Sequence, residues 1–263
     1  MSERDGYWSG VPCWVASFHS DPEKAVNFYT ELFGWEAEEM MEAGSPGKYF
    51  MCTLRGRAVA AVGSQRGGGA SAWGTHVWVE SADEVAARVT DEGGTVVVEA
   101  FDLIDVARTA VVADPGGAIF GLWQPKEHRG AEVINEPEAW AMSILNTRDP
   151  EGAKAFYGEI FGWETDMFGE VALWRLPGYV GGEPEQPVPR DVIGVMVPTS
   201  EDGSTSAHWS INFWVADADA TAEAAEKLGG AMIVPPFDTE ISRDAVISDP
   251  QGAVFSVSTA PSP

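Results

Sequence analysis

Chemistry at neutral pH needs nucleophiles, bases or metal ligands, and this chain holds few of them. Its 263 residues include four histidines and two cysteines, against 11 tryptophans and 12 phenylalanines. No G-x-S-x-G elbow, H-E-x-x-H pair, Walker loop or G-x-G-x-x-G fingerprint occurs, so the common hydrolase, zinc-protease, phosphate-loop and dinucleotide sites are not signalled. His76 is the one catalytic candidate. It lies in Gly74-Thr75-His76-Val77-Trp78, where period-two alternation puts Gly74, His76 and Trp78 on one strand face. There it could be a hydrogen-bond partner or a general base near pH 7; a histidine satisfied within a core is the competing reading. Cys13 and Cys52 form no C-x-x-C pair. Buried free thiols are expected, with a disulfide between them left open.

The elements that would position these residues come from a repeat. DPEKAVNFYTELFGWE at Asp21–Glu36 reappears as DPEGAKAFYGEIFGWE at Asp149–Glu164, and AVVADPGGAIF at Ala110–Phe120 as AVISDPQGAVF at Ala245–Phe255. Asp21-Pro22 supplies an N-cap and a first-turn proline, and Ala25, Phe28, Tyr29 and Leu32 give one apolar helix face before Gly34 stops it. Asp149 to Gly162 repeat that grammar. Three strand-like runs follow, around Ala37–Glu42, Tyr49–Leu54 and Arg57–Gly63. The order then restarts with a strand at His76–Val79, a capping box at Ser81–Glu84 and a helix ending at Gly93-Gly94. Strands near Thr95–Val98, Thr109–Ala113 and Ala118–Trp123 complete it. Strand, helix and three strands therefore occur four times. The polar stretch Pro125–Glu138 reads as the connection, which sets a first domain at residues 1–127, a linker at 128–138 and a second domain at 139–263. Gly67-Gly68-Gly69 reads as a flexible link between modules. The Pro/Gly-rich segment Pro177–Pro189 is a tolerated insertion or a lid.

Composition removes several classes. Sixteen Lys+Arg against 41 Asp+Glu give a net charge of −25, a field that repels nucleic acid and anionic membranes and attracts cationic partners. Met1–Gly10 has no basic or apolar signal-peptide region and no apolar run approaches ~18 residues, so a cytoplasmic protein is expected.

The pattern D-P-x-x-A-x-x-F-Y-x-x-x-F-G-W, followed in each copy by R-x-A-x-x-x-D-P-x-G-A-x-F, resembles the vicinal oxygen chelate (glyoxalase/bleomycin-resistance/dioxygenase) superfamily, in its two-domain actinobacterial glyoxalase-like branch. The resemblance implies an α+β fold in which four βαβββ modules form two tandem cup-shaped mixed-sheet domains, with ligand held on the concave walls. In metal-dependent relatives His and Glu stand on the central strands of each cup. Counting from neighbouring landmarks puts Trp14, Gly74 and Gly121 there in the first copy, and Met142, Ser210 and Ser256 in the second. None suits a divalent ion, so neither a metal nor another cofactor is expected.

Strand parity then lines the first cup with Trp14, Ala16, Phe18, Gly74, His76, Trp78, Ile119, Gly121 and Trp123. The second receives Met142, Ile144, Asn146, Ser210, Asn212, Trp214, Val254, Ser256 and Ser258. Trp14, Trp78 and Trp123 either plug the first cup as core or form a slot for a planar ligand, with Gly74 and Gly121 as its space. On the slot reading, flat apolar molecules prefer the first cup. Trp35 and Trp163 pack helix ends against the sheets. Asp102 with Arg108, and Asp238 with Arg243, recur as ion pairs or turn caps, and Asp114-Pro115 and Asp249-Pro250 form turns. The expected ligand set is therefore Trp14, Phe18, His76, Trp78, Trp123, Met142, Asn146, Ser210, Asn212, Trp214 and Ser256. The expected function is metal-independent binding of a small aromatic or polyketide-like, sometimes cationic, molecule. The protein would sequester it, confer resistance, or serve an oxidative tailoring enzyme in secondary metabolism. A glyoxalase-like lyase or isomerase, a hydroxylase or a ring-cleaving dioxygenase is the alternative.

Overall fold

The computed structural model describes residues 4–65, 68–103, 105–169, 171–181, 190–199 and 206–259. The first half runs β1 (Pro12–His19), α1 (Pro22–Phe33), β2 (Glu36–Glu39), β3 (Tyr49–Leu54), β4 (Arg57–Ser64), β5 (Ala72–Trp78), α2 (Ala82–Asp91), β6 (Thr95–Leu103), β7 (Ala107–Ala113) and β8 (Ile119–Pro125). The second half repeats it with β9 (Trp140–Thr147), α3 (Pro150–Phe161), β10 (Glu164–Phe168), β11 (Val171–Arg175), β12 (Val192–Pro198), β13 (His208–Trp214), α4 (Ala218–Lys227), β14 (Ala231–Asp238), β15 (Arg243–Ser248) and β16 (Val254–Thr259). Each half is one eight-stranded mixed sheet, ordered β2-β3-β4-β1-β5-β8-β7-β6 and β10-β11-β12-β9-β13-β16-β15-β14. Within a sheet the modules join where their first strands run antiparallel, β1 beside β5 and β9 beside β13. This is the four-module α+β architecture that the repeat implies.

Helix ends follow the sequence grammar. Asp21 accepts from Lys24 N at 3.1 Å and Asp149 from Gly152 N at 2.9 Å, while Gly34 and Gly162 close the helices with φ of 67° and 73°. A residue with a Cβ would strain both positions. Arg108 bonds Asp83 and Asp102, and Arg243 bonds Asp219 and Asp238, so the recurring pairs are ion pairs that fasten each second helix to its sheet. Cys13 and Cys52 are buried free thiols, and burial raises both pKa values, Cys52 to about 12.

The two sheets meet back to back, and the repeated motifs do the joining. Phe213 of β13 sits 5.1 Å from Trp73 and 5.0 Å from Phe33, ring centre to ring centre. Thr75 Oγ1 and Ser143 Oγ share a buried hydrogen bond of 2.7 Å. Tyr29 donates to Asp249 Oδ2 at 3.0 Å and receives Trp73 Nε1 at 3.0 Å; Tyr157 donates to Asp114 Oδ2 at 3.0 Å and receives Trp209 Nε1 at 2.9 Å. Asp114 and Asp249 do form turns, accepting from Ala118 N and Ala253 N. Their second oxygens cross to the other domain, which the sequence reading did not foresee. Trp35 and Trp163 pack against their helix ends and also reach across, donating to Glu138 O and Gly10 O at 2.7 Å. With these faces joined, the faces that carry Trp14 and Met142 point away from one another.

Candidate functional site

Register fixes what each cup contains. Across the first sheet Trp14 pairs with His76 and His76 with Gly121, while Ala16 pairs with Gly74 and Trp78 with Trp123. The aromatic set is thus brought together on one face, as parity required. It is also closed. Trp14, Trp78, Trp123 and His76 are 0%, 6%, 2% and 8% exposed. The space expected over Gly121 is taken by the His76 ring, since a Cβ there would lie 2.1 Å from His76 Cδ2. Trp14 Nε1 donates to Tyr49 Oη at 3.2 Å, and His128 closes the box with its ring 4.3 Å from Trp14. On this face Phe18 and Ile119 are exposed, and Gly74, Tyr49, Met51 and Val111 are half-buried.

Burial decides the state of the imidazoles. It lowers the pKa of both His76 and His128 to about 4; for His76 a hydrogen bond with the Trp14 backbone works the other way, and the nearby His128 adds a smaller lowering. Burial thus favours the neutral imidazole of His76 at pH 7. Tyr49 is pushed up to about 12 by the same burial.

The second cup uses the same register with different chemistry. Met142 pairs with Asn212 and Asn212 with Ser256, Ile144 pairs with Ser210, and Trp214 with Ser258. Met142, Ile144, Asn146, Ser210, Trp214 and Ser256 are half-buried and Val254 is exposed, while Asn212 and Ser258 are buried, so this wall is more open than the first at its central positions. Its polar groups are held in place by one another. Asn146 Nδ2 donates to Ser210 Oγ at 2.9 Å, and Asn212 Nδ2 donates to Ser256 Oγ at 2.9 Å and Ser258 Oγ at 2.7 Å. Ser258 Oγ in turn donates to Asp244, which also takes the Ser242 hydroxyl. Sequence reasoning missed Tyr49, His128 and Asp244. Tyr49 and Asp244 stand on strands whose cup-facing parity was not traced, and His128 lay in a stretch read as a polar connection. Pro177–Pro189, the lid or insertion, falls largely outside the described residues, as does Gly67.

The fit to a divalent metal can be judged from the donors. The mapped central positions hold an indole, two glycines, a thioether and two hydroxyls, and a carboxylate side chain at Gly121 would collide with His76. Among the described residues no group of three or more His, Cys, Asp or Glu could hold a metal ion. These residues do not fit the group. Protein purified without chelators is expected to carry well under one equivalent of Mn, Fe, Ni or Zn per chain by elemental analysis; stoichiometric metal surviving dialysis would contradict this. No described helix is long and apolar enough to cross a membrane.

Known proteins share this construction. Residues 14–122 match the model of the glyoxalase/bleomycin resistance protein/dioxygenase superfamily, and residues 142–258 match that of a glyoxalase-like domain. The chain is 38% identical to the protein named as a glyoxylase, CFP32, of Mycobacterium tuberculosis (strain CDC 1551 / Oshkosh), over 98% of this chain and 97% of that one. It is 32% identical to the anthracycline biosynthesis protein DauV of Streptomyces sp. (strain C5), over 94% and 92%. Among solved structures it is similar to the 2,3-dioxygenase LapB from Pseudomonas sp. KL28, with a TM-score of 0.63 at 13% identity over 98% of this chain and 96% of that one. A Mn(II)-bound glyoxalase from Novosphingobium aromaticivorans gives 0.63 at 12% over 95% and 82%. At such identities the structural likeness speaks for the fold alone. With repeat, topology and relatives in agreement, the chain belongs to the glyoxalase/bleomycin resistance protein/dioxygenase superfamily.

Proposed function

We propose that the second cup binds a small, hydroxyl-bearing aromatic molecule without a metal, and that the protein serves secondary metabolism by sequestering that molecule or presenting it to an oxidative tailoring enzyme. The observation that carries this reading is the contrast between the cups. One wall is packed with its own rings, and the other leaves an apolar and aromatic surface accessible beside ordered amides and hydroxyls. A concave face of Met142, Ile144 and Trp214 gives area for a flat ligand, and the Asn146–Ser210 and Asn212–Ser256–Ser258 groups give directed hydrogen bonds at no further ordering cost. The likeness to proteins named for anthracycline biosynthesis supports the polycyclic, polyhydroxylated class. The acidic surface adds attraction for cationic members of that class.

The test is a tryptophan-fluorescence titration with an anthracycline aglycone. Wild type should be quenched saturably, and Trp214→Phe should lose most of the quench while retaining binding by calorimetry. Asn212→Leu should weaken binding about tenfold or more, in line with leaving ligand hydroxyls unpaired. No saturable binding by wild type would sink the reading. Turnover that requires stoichiometric metal would favour the dioxygenase or isomerase alternative instead.

A further inference from the structure

The two halves differ at a place where the repeat calls for sameness. In each sheet the first and fourth strands run parallel, pairing from Ala16 with Ala61 and from Ile144 with Val195. Three positions earlier stand Cys13 and Ala58 in the first half, and Ala141 and Val192 in the second, where the strands have not yet met. A shared bulge fixes that correspondence. Cys52 faces Ala60 and Thr53 faces Ala58, just as Trp174 faces Gly194 and Arg175 faces Val192. In the first half the chain between the domains fills the gap. Ala131 N donates to Cys13 O at 2.8 Å, Glu132 N donates to Ala58 O at 2.7 Å, and the Glu132 carboxylate takes the Ala58 N–H at 2.7 Å. In the second half, among the described residues, no backbone N–H from outside the sheet reaches Ala141 O or Val192 O.

A cavity of about 30 Å³ opens there instead, lined by Ala141 and Val192 together with Arg4, Trp140, Tyr179 and Arg190. That is room for about two waters, too little for a ring and enough for a carboxylate head. No described acidic side chain lines it, and both of its charged groups are guanidiniums, in a chain of net charge −25. Arg190 is anchored by Nε and Nη2 on Gly181 O at 3.0 and 2.8 Å, and Arg4 donates to Tyr179 Oη at 2.8 Å. Trp140 is 5% exposed, and its Nε1 has no hydrogen-bond partner among the described residues. Guanidinium and indole N–H groups only donate, so an anionic acceptor suits this lining.

We propose that this cavity at the domain junction binds a small carboxylate anion, which takes the part that the Glu132 side chain plays in the first half. One of its oxygens accepts the Val192 N–H, and the guanidinium of Arg190 balances its charge. The site is a gap between strand edges, lined by the consecutive residues Trp140 to Ser143, and it does not rest on the second-cup reading.

Sodium acetate is the probe, titrated into the full ¹⁵N-labelled chain, with sodium chloride and sodium phosphate at matched ionic strength beside it. The Val192 amide should shift saturably with acetate and not with chloride, while the Ala58 amide, already capped by Glu132, stays in place. Arg190→Gln should weaken acetate binding about tenfold or more. Arg190 also holds the turn at Gly181, so Trp140→Phe, which keeps the ring and removes only the indole N–H, is measured with the same readout and should weaken binding in the same direction. A Val192 amide unmoved by acetate, an equal shift with chloride, tighter binding of phosphate, or wild-type affinity in both folded variants would each overturn the proposal.

Discussion

Acidification should destabilise the fold well before its surface carboxylates matter. His76 and His128 ordinarily titrate near 6.5 and are held at about 4 by burial. Below 6.5 the unfolded chain takes up protons that the folded one refuses, so stability falls with pH and levels off only below the folded values. Across that window one such imidazole gives up about 3 kcal/mol, and the pair up to about twice that. His19, lowered by burial and partly restored by Asp249, acts in the same direction, whereas Asp114, held above the usual carboxylate range by burial, acts against it. Asp83, Asp102 and Asp219 are held low by Arg108, Lys126 and Arg243 and lose their contribution only at still lower pH. Urea unfolding at steps from pH 7 to pH 4.5 reads this directly. Wild type should lose several kcal/mol, and a His76→Gln/His128→Gln protein should show a much flatter profile; parallel profiles would mean that these rings are not the acid-sensitive groups.

Asp249→Ala should be among the most damaging single substitutions in the chain. It removes the acceptor for Tyr29 Oη across the domain boundary and for the N–H groups of Gln251 and Ala253, and it strands His19, whose Nδ1 lies 3.3 Å from the carboxylate. Several buried donors left unpaired cost about 3 kcal/mol or more in total, roughly 6–12 °C in melting temperature for a chain of this size. Because the contact joins the halves, tryptophan signals from both domains should fall in one shifted transition. Asp238→Ala is the comparison. Arg243 keeps Asp219 there, and an exposed ion pair is worth about 1 kcal/mol at most. Equal small shifts for both would show that the crossing Tyr–Asp contacts do not hold the domains together.

Much of this molecule is legible in its sequence. The first helix of each half is marked by an Asp-Pro opening and a glycine stop, the strands by alternation, and the four modules by repetition, because those signals are local and each is present twice or more. Parity also placed Trp14, His76 and Trp123 on one face, and Met142, Asn212 and Ser256 on another. Alternation says which face a side chain occupies, but not whether the volume in front of it is filled. The filling of the first cup depended on His128, which arrives from outside the repeating units, and on the His76 rotamer over Gly121. The pKa of His76 followed from that filling and was equally out of reach. The crossing of Tyr29 to Asp249 and of Tyr157 to Asp114 was hidden for a related reason. Each motif has a sufficient local role within its own copy, the aspartate in a turn and the tyrosine on an amphipathic face.

The two cups carry a convenient reporter each, Met51 in the first and Met142 in the second, and methyl-labelled methionine spectra would show which one meets the ligand. Met142 can be assigned through Met142→Leu and Met51 through Met51→Leu. On adding the aglycone, the Met142 resonance should shift saturably with one equivalent while Met51 stays in place. Movement of Met51 with Met142 unchanged would contradict the assignment of ligand binding to the second cup.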